Sequence, residues 1–220
     1  GLIILFGLEP VVAVGTMGFA GVVMMLASVT QHVREGNVEW RIAGIFSVTA
    51  LPLSYICARY AEDINDVIPL KVIIGIIILV STVLLFYRYV IMKPKAQVLE
   101  LPKWKLIASP FLGIGLGALM GATSISGSII VIVFLLVLKL PSPLAVGTTS
   151  ALAAVSLAIA SVAHITQDHV AWQAVIGLIP GVIVGGTIGS RYVKRVPRQL
   201  LRYAILGILV IAGIMVLVKA

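Results

Sequence analysis

Apolar residues fill the chain in long blocks that polar residues interrupt only briefly. The blocks cover residues 10–31, 42–60, 67–91, 104–120, 127–140, 142–165, 171–192 and 199–218, and residues 1–8 read as the tail of an earlier one. Most approach the roughly 20 residues that a helix needs to cross a bilayer. The two-residue alternation of barrel strands is absent, so the pattern predicts helices and excludes an outer-membrane barrel. It describes an all-α polytopic membrane protein of seven or eight spans, with no room for a soluble domain.

Composition strengthens this reading. The chain is 60% hydrophobic and 11% charged, with mean hydropathy +1.17, whereas soluble domains carry about 25% charged residues. A net charge of +8 would suggest a nucleic-acid partner in a soluble protein. Here the basic residues fall between apolar blocks, where they set topology. The expected environment is a lipid bilayer, with no nucleic acid, and self-association as a homodimer is left open. The single cysteine, Cys57, lies inside an apolar block and excludes an internal disulfide.

The chain repeats itself. Ala13-Val14-Gly15-Thr16 recurs as Ala145-Val146-Gly147-Thr148, 132 residues later. The same ungapped offset pairs His32 with His164, Val38 with Val170, Trp40 with Trp172, Arg59-Tyr60 with Arg191-Tyr192 and Gly75 with Gly207. Apolar composition produces chance matches among Val, Ile, Leu and Ala, but not matched His, Trp and Arg. The expected organisation is a first repeat at 1–92, a linker at 93–103 and a second repeat at 104–220. Internal duplication of this kind is a signature of transporter folds. The equivalents of residues 101–132 would precede residue 1, so an N-terminal segment is expected to be missing.

The stretch 110–140 bears on the relative orientation of the two halves. Its middle, Thr123-Ser124-Ile125-Ser126-Gly127-Ser128, is polar and small, which predicts a broken helix or re-entrant hairpin. If both ends of that hairpin lie on one side, then Arg34, Arg41, Arg88, Lys93, Lys95, Lys103, Lys105, Lys139, Arg191, Lys194, Arg195, Arg198 and Arg202 share one face. The other face holds Arg59, Lys71, Glu62, Asp63, Asp66 and Lys219. That division obeys the positive-inside rule. Two inverted halves with broken helices are therefore favoured over two parallel four-span halves.

Irregular backbone at membrane depth survives only where protein or a wet cavity satisfies it. A half-helix N-terminus there offers free N–H groups and partial positive charge to an anion. Candidate substrate contacts are accordingly Thr123, Ser124, Ser126, Gly127 and Ser128, followed by the paired helix starts Gly15, Thr16, Gly147, Thr148, Thr149 and Ser150. The series Gly113, Gly117, Gly121 reads rather as a packing stripe. His32 and His164 are candidates for proton coupling. Arg59 and Arg191 are candidates for gating, although snorkelling anchors also end spans in this way. Trp40 and Trp172 read as interfacial anchors.

No acidic residue falls deep within a block, which argues against a cation pump. The sequence has no P-loop, nucleophile elbow or metal-protease motif. An enzyme is therefore not expected, nor are a cofactor or a metal.

The duplicated halves, the glycine-rich segment at Gly113–Gly127, the run Pro143–Ser150 and the Val-x-Trp at Val170–Trp172 together resemble the sulfite exporter TauE/SafE family, also called the 4-toluene sulfonate uptake permease family. That resemblance covers essentially the whole chain. It implies a secondary transporter of sulfite, sulfonate or sulfoacetate-like anions in the cell membrane of a prokaryote. Members often carry a tighter glycine cluster followed by a proline before the second half-helix, whereas here no proline follows Ser126-Gly127-Ser128 until Pro141. The alternative functions are an anion channel or a permease for a different small anion.

Overall fold

The computed structural model describes residue 2 and residues 7–87, 103–124, 127–136, 138, 140–193 and 197–218. Its elements, in chain order, are α1 (Pro10–Arg34), α2 (Trp40–Arg59), α3 (Ala61–Val67), α4 (Leu70–Phe86), α5 (Lys103–Thr123), α6 (Gly127–Leu136), α7 (Ser142–Thr166), α8 (Trp172–Val193) and α9 (Arg198–Val218). No strand occurs among the described residues. The chain is a multi-pass membrane protein. Large apolar side chains such as Val48, Val83, Ile176 and Ile208 stand open on the outside, as a lipid-facing surface requires.

Helix boundaries follow local chemistry. Pro10 starts α1 and Pro143 sits in the first turn of α7, where the missing N–H and fixed φ of proline cost nothing. Beyond α1, Gly36 takes a left-handed φ of 67°, which a glycine adopts freely. Both α1 and α7 contain 25 residues, about 37 Å at 1.5 Å per residue, enough to cross a bilayer. By length and apolarity, 3 of the described helices qualify as spans, namely α1, α2 and Pro143–Thr166 of α7.

One connector differs from its expected form. Residues 61–66, between the blocks 42–60 and 67–91, read as a loop, but they fold into the short α3, which ends before Pro69. The short α3 and the longer α4 meet there at 87°. Proline has no N–H to continue the ladder and biases its predecessor away from helix. Asn65 supports the bend, its side-chain oxygen accepting from Leu70 N at 3.1 Å.

Two contacts organise the bundle. The first joins α1 and α7, which run antiparallel along their whole length. Gly15 meets His164, Gly18 meets Ser161, Gly21 meets Leu157, and Gly147 meets His32, while Ser28 and Ser150 share a 2.9 Å hydrogen bond. The second joins α2 and α5, which run parallel. A Cβ on Gly113 would lie 2.7 Å from the Phe46 carbonyl oxygen, one on Gly117 2.5 Å from that of Ala50, and one on Gly121 2.9 Å from Ser54 Cα. The glycine series is thus a close-packing stripe, as expected, and lets the two backbones approach. Ser54 adds a 3.1 Å hydrogen bond to the Gly117 carbonyl.

After Thr123 the chain turns back. Phe134 of α6 packs edge-on against Phe46 of α2, with ring centroids 5.4 Å apart, and Phe46 also touches the start of the glycine stripe on α5. Consequently α5 and α6 form a helical hairpin whose open end lies beside the start of α2. Farther out, α4 and α9 pair antiparallel through Gly75 against Leu217, Gly213 against Leu79, and Leu85 beside Leu206. The bundle therefore has one end carrying Arg34 and Arg41 and another carrying Arg59, Glu62, Asp63 and Asp66. Most of the expected linker, 93–103, lies outside the described residues.

Candidate functional site

The hairpin tip is the irregular point of the core. Ser124 has a φ of 52° and donates its backbone N–H to Met120 O at 2.9 Å. A left-handed serine is uncommon and carries strain that surrounding structure must hold. Here it ends α5 and aims the chain back toward α6. Ile125 and the candidate Ser126 lie outside the described residues. Gly127 and Ser128 begin α6, which directs the amide end of that helix toward the tip.

Around the tip, α1 and α7 present small residues. A Cβ on Gly18 would stand 2.7 Å from Ser124 Oγ and 3.7 Å from Ser161 Oγ. Glycine at 18 is what admits these two hydroxyls between the long helices. Both are buried without a hydrogen-bond partner within the protein, and Ser161 is only 3% exposed. Buried hydroxyls are nearly always paired, and among the described residues Ser81, Thr149 and Ser156 share this exception with Ser124 and Ser161. Thr123, in contrast, donates to Leu119 O at 2.7 Å, which keeps its hydroxyl on its own helix.

His164 lies beside this cluster, fully buried, with Nε2 3.4 Å from the Gly121 carbonyl. A Cβ on Gly15 would stand 3.0 Å from the His164 Cβ and would run into the carbonyl of His169. The Thr16 hydroxyl donates to Val12 O at 2.7 Å and accepts from Ala171 N at 2.9 Å. Gly15, Thr16, Ser124 and His164 thus come together at one end of the α1–α7 pair.

The remaining candidates gather at the opposite end. A Cβ on Gly147 would run into the Asn37 carbonyl and stand 3.1 Å from the His32 Cβ. Thr148 accepts from Glu39 N at 2.9 Å. Ser150 bonds Ser28 and the Val146 carbonyl. Thr149 is buried with its hydroxyl unpartnered. His32 is half-buried, its Nδ1 likewise unpartnered. The two groups are about 15 Å apart along α1, since Gly18 and Ser28 are ten residues apart. Arg59 stays exposed, and its carbonyl accepts from the Gln167 side chain. Arg191 lies in α8 with its side chain outside the described set. Trp172 is half exposed and stacks edge-on against Phe19 at 5.4 Å.

Sequence reasoning missed Gly18, Ser161 and His169. A signal existed for the first two. The offset of 132 pairs Gly18 with Ser150, and Ser161 stands one helical turn before His164. Among the described residues, no group of three or more His, Cys, Asp or Glu is placed to hold a metal ion.

Comparison with known proteins gives a consistent result. The family model described as sulfite exporter TauE/SafE matches residues 1–216. The probable membrane transporter protein YdhB of Bacillus subtilis (strain 168) is 28% identical over 98% of this chain and 88% of its own length. The probable membrane transporter protein YjnA of the same organism is 22% identical over 97% of this chain and 87% of its own length. No solved structure matches the chain significantly.

Proposed function

The chain belongs to the sulfite exporter TauE/SafE family and is a membrane transporter; from that premise we propose that it carries sulfite or a sulfonate, bound at the α5–α6 tip between α1 and α7. The observation that carries this reading is the pair of unpartnered hydroxyls of Ser124 and Ser161 on either side of Gly18. Sulfite and sulfonates present several acceptor oxygens on one tetrahedral or pyramidal head. Two hydroxyl donors near Gly18, with α6 beginning three residues after Ser124, suit such a head. They do so without a buried lysine, which the bilayer would penalise.

The transport cycle we infer uses two inverted halves, 1–92 and 104–220. Support comes from the helix pairs at the repeat offset, since α1 and its equivalent α7 run antiparallel, as do α4 and its equivalent α9. A site between such halves can be opened to either side by rocking one against the other. Glycines on α1 and α7 face His164, Leu157 and His32 across the pair and bring the two helices close together.

The test is binding by purified protein. Thermal shift and radiolabel binding should show selective stabilisation by sulfite, sulfoacetate or taurine over sulfate and a carboxylate control, growing with concentration. Ser161→Val should abolish the shift while leaving the unliganded unfolding temperature close to wild type. Stabilisation by the carboxylate alone would overturn the substrate class. Unchanged affinity in Ser161→Val would remove the tip from the site.

A further inference from the structure

The second histidine of α7's end serves neither a helix interface nor the hydroxyl cluster. His169 follows α7 in the loop before α8 and is 5% exposed. Its Nε2 lies 3.2 Å from the Glu62 carboxylate on α3, and that carboxylate is 66% exposed at the acidic end of the bundle. The His169 ring sits 5.9 Å from the His164 ring, centroid to centroid. Both rings keep an Nδ1 that is buried and unpartnered. His164 in turn reaches the Gly121 carbonyl, one helical turn before Ser124. An exposed carboxylate, two buried imidazoles and the hairpin tip therefore stand in series.

We propose that Glu62, His169 and His164 form a proton relay from the acidic end of the bundle to the anion site, so that the anion moves together with a proton. This inference rests on the reading of the site given above and names its coupling ion. The chemistry balances. A proton from bulk water reaches the Glu62 carboxylate and passes to His169 Nε2. The His169 ring then releases its Nδ1 proton toward His164 and returns to neutral. His164 accepts at Nδ1 and releases its Nε2 proton at the tip to sulfite, which is basic enough to take it, and both rings, left in the opposite tautomer, flip back before the next proton. One proton leaves the aqueous side and one arrives with the anion, and neither ring keeps a charge.

The repeat argues that the histidine at 169 has a purpose beyond packing. Its equivalent at the offset of 132 is Asn37. The two residues do the same backbone work. Asn37 N donates to His32 O at 2.8 Å, and His169 N donates to His164 O at 2.9 Å. Each carbonyl covers the glycine of the other helix, Gly147 in one case and Gly15 in the other. Asparagine suffices there, its side chain turned to Glu35 at 3.0 Å. An ionisable ring at 169 is thus not demanded by the fold, and the relay exists at one end only, as directional proton entry requires.

Other charged groups around the pair are few. Asp168 neighbours His169 in its own loop and is exposed, with a φ of 58°. Arg59 closes α2 nearby through the Gln167 contact. Glu9, Asp63 and Asp66 line the same open pocket as Glu62, of about 470 Å³. On α5 and α1, His164 lies against the Gly121 carbonyl and Gly15. The acidic pocket lines the mouth of the relay.

The experiment uses the full chain in liposomes with a trapped pH dye and radiolabelled sulfite outside. Wild type should take up sulfite faster when the outside is more acidic, and the lumen should acidify in step. His169→Asn should retain sulfite exchange at equal pH but lose at least tenfold of the gradient-driven uptake, and Glu62→Gln should lose part of it. Sulfite flux that ignores the gradient in wild type would overturn the relay while leaving the transporter reading intact. If neither sulfite nor taurine is carried, the substrate class fails instead, and the relay is decided by ¹⁵N-histidine spectra of the purified protein. The relay requires Glu62→Gln to shift the pH titration of His164 as well as that of His169. A His164 signal indifferent to Glu62→Gln overturns it.

Discussion

The Thr148 hydroxyl accepts a 2.9 Å hydrogen bond from the backbone N–H of Glu39. Thr148 lies in the first turns of α7 and Glu39 just before α2, so the bond pins the start of α2 to the start of α7. The same bond is made in reverse by Thr16 and Ala171, again at 2.9 Å. Two threonines of one duplicated motif thus hold the halves together reciprocally. Thr148→Val should leave a buried amide unsatisfied and cost about 1–3 kcal/mol. Thermal unfolding in detergent should show a lowered midpoint for Thr148→Val and for Thr16→Val, with an approximately additive loss in the double variant. An unchanged midpoint in both would mean that water replaces the hydroxyl.

The glycine stripe on α5 gives a graded prediction. Gly117→Ala would drive a methyl to within 2.5 Å of the Ala50 carbonyl oxygen, whereas Gly115 has nothing within 4 Å. Overpacking of this sort typically costs about 1–3 kcal/mol. Gly117→Ala and Gly121→Ala should therefore lower folded yield and melting temperature. Gly115→Ala, on the open face of the same helix, should be neutral or slightly stabilising. The comparison is a fluorescence size-exclusion melt of the three variants.

Stability and affinity should separate at the tip. Ser161 makes no hydrogen bond through its hydroxyl within the protein. Its replacement by alanine should leave unfolding unchanged or slightly improved, because a desolvated hydroxyl is lost. Anion affinity should fall about tenfold, equivalent to ~1.4 kcal/mol. Ser124→Gly should relax the left-handed backbone and also lose affinity. Isothermal binding measurements on both variants check this, and undiminished affinity in both would exclude hydroxyl contacts with the ligand.

Topology is checked by labelling from either side of the membrane. In a Cys57→Ser background, Lys103→Cys and Arg198→Cys should react with an impermeant maleimide from one side, and Glu62→Cys from the other. Labelling of Lys103→Cys and Arg198→Cys from opposite sides would break the inverted arrangement of the halves.

The segment before Pro69 is instructive. Its polar residues form no apolar run that would predict a helix. The polar Glu62, Asp63 and Asp66 were read as loop, yet they ride on α3. Their placement depends on the Asn65 bond to Leu70 and on the buried faces of Ala61 and Leu70, which no local pattern reveals.

Boundaries were legible where chemistry is local. The long apolar blocks, the proline starts of α1 and α7, the recurrence at 132 and the break after Thr123 all follow from residues adjacent in sequence. Helix formation and its interruption depend on such neighbours. Contacts between helices were not legible. In a bilayer the lipid-facing and protein-facing sides are both apolar, so no polar stripe announces which side meets a partner. Only the tertiary structure could show that Gly18 admits Ser124 and Ser161, that Gly15 lies under His164, and that Glu62 and His169 meet across a gap of more than a hundred residues. The sequence by itself determined a duplicated, helical membrane protein. The folded chain decided which small residues became close contacts and which hydroxyls and imidazoles were left without partners, because that choice rests on how helices distant in sequence come together.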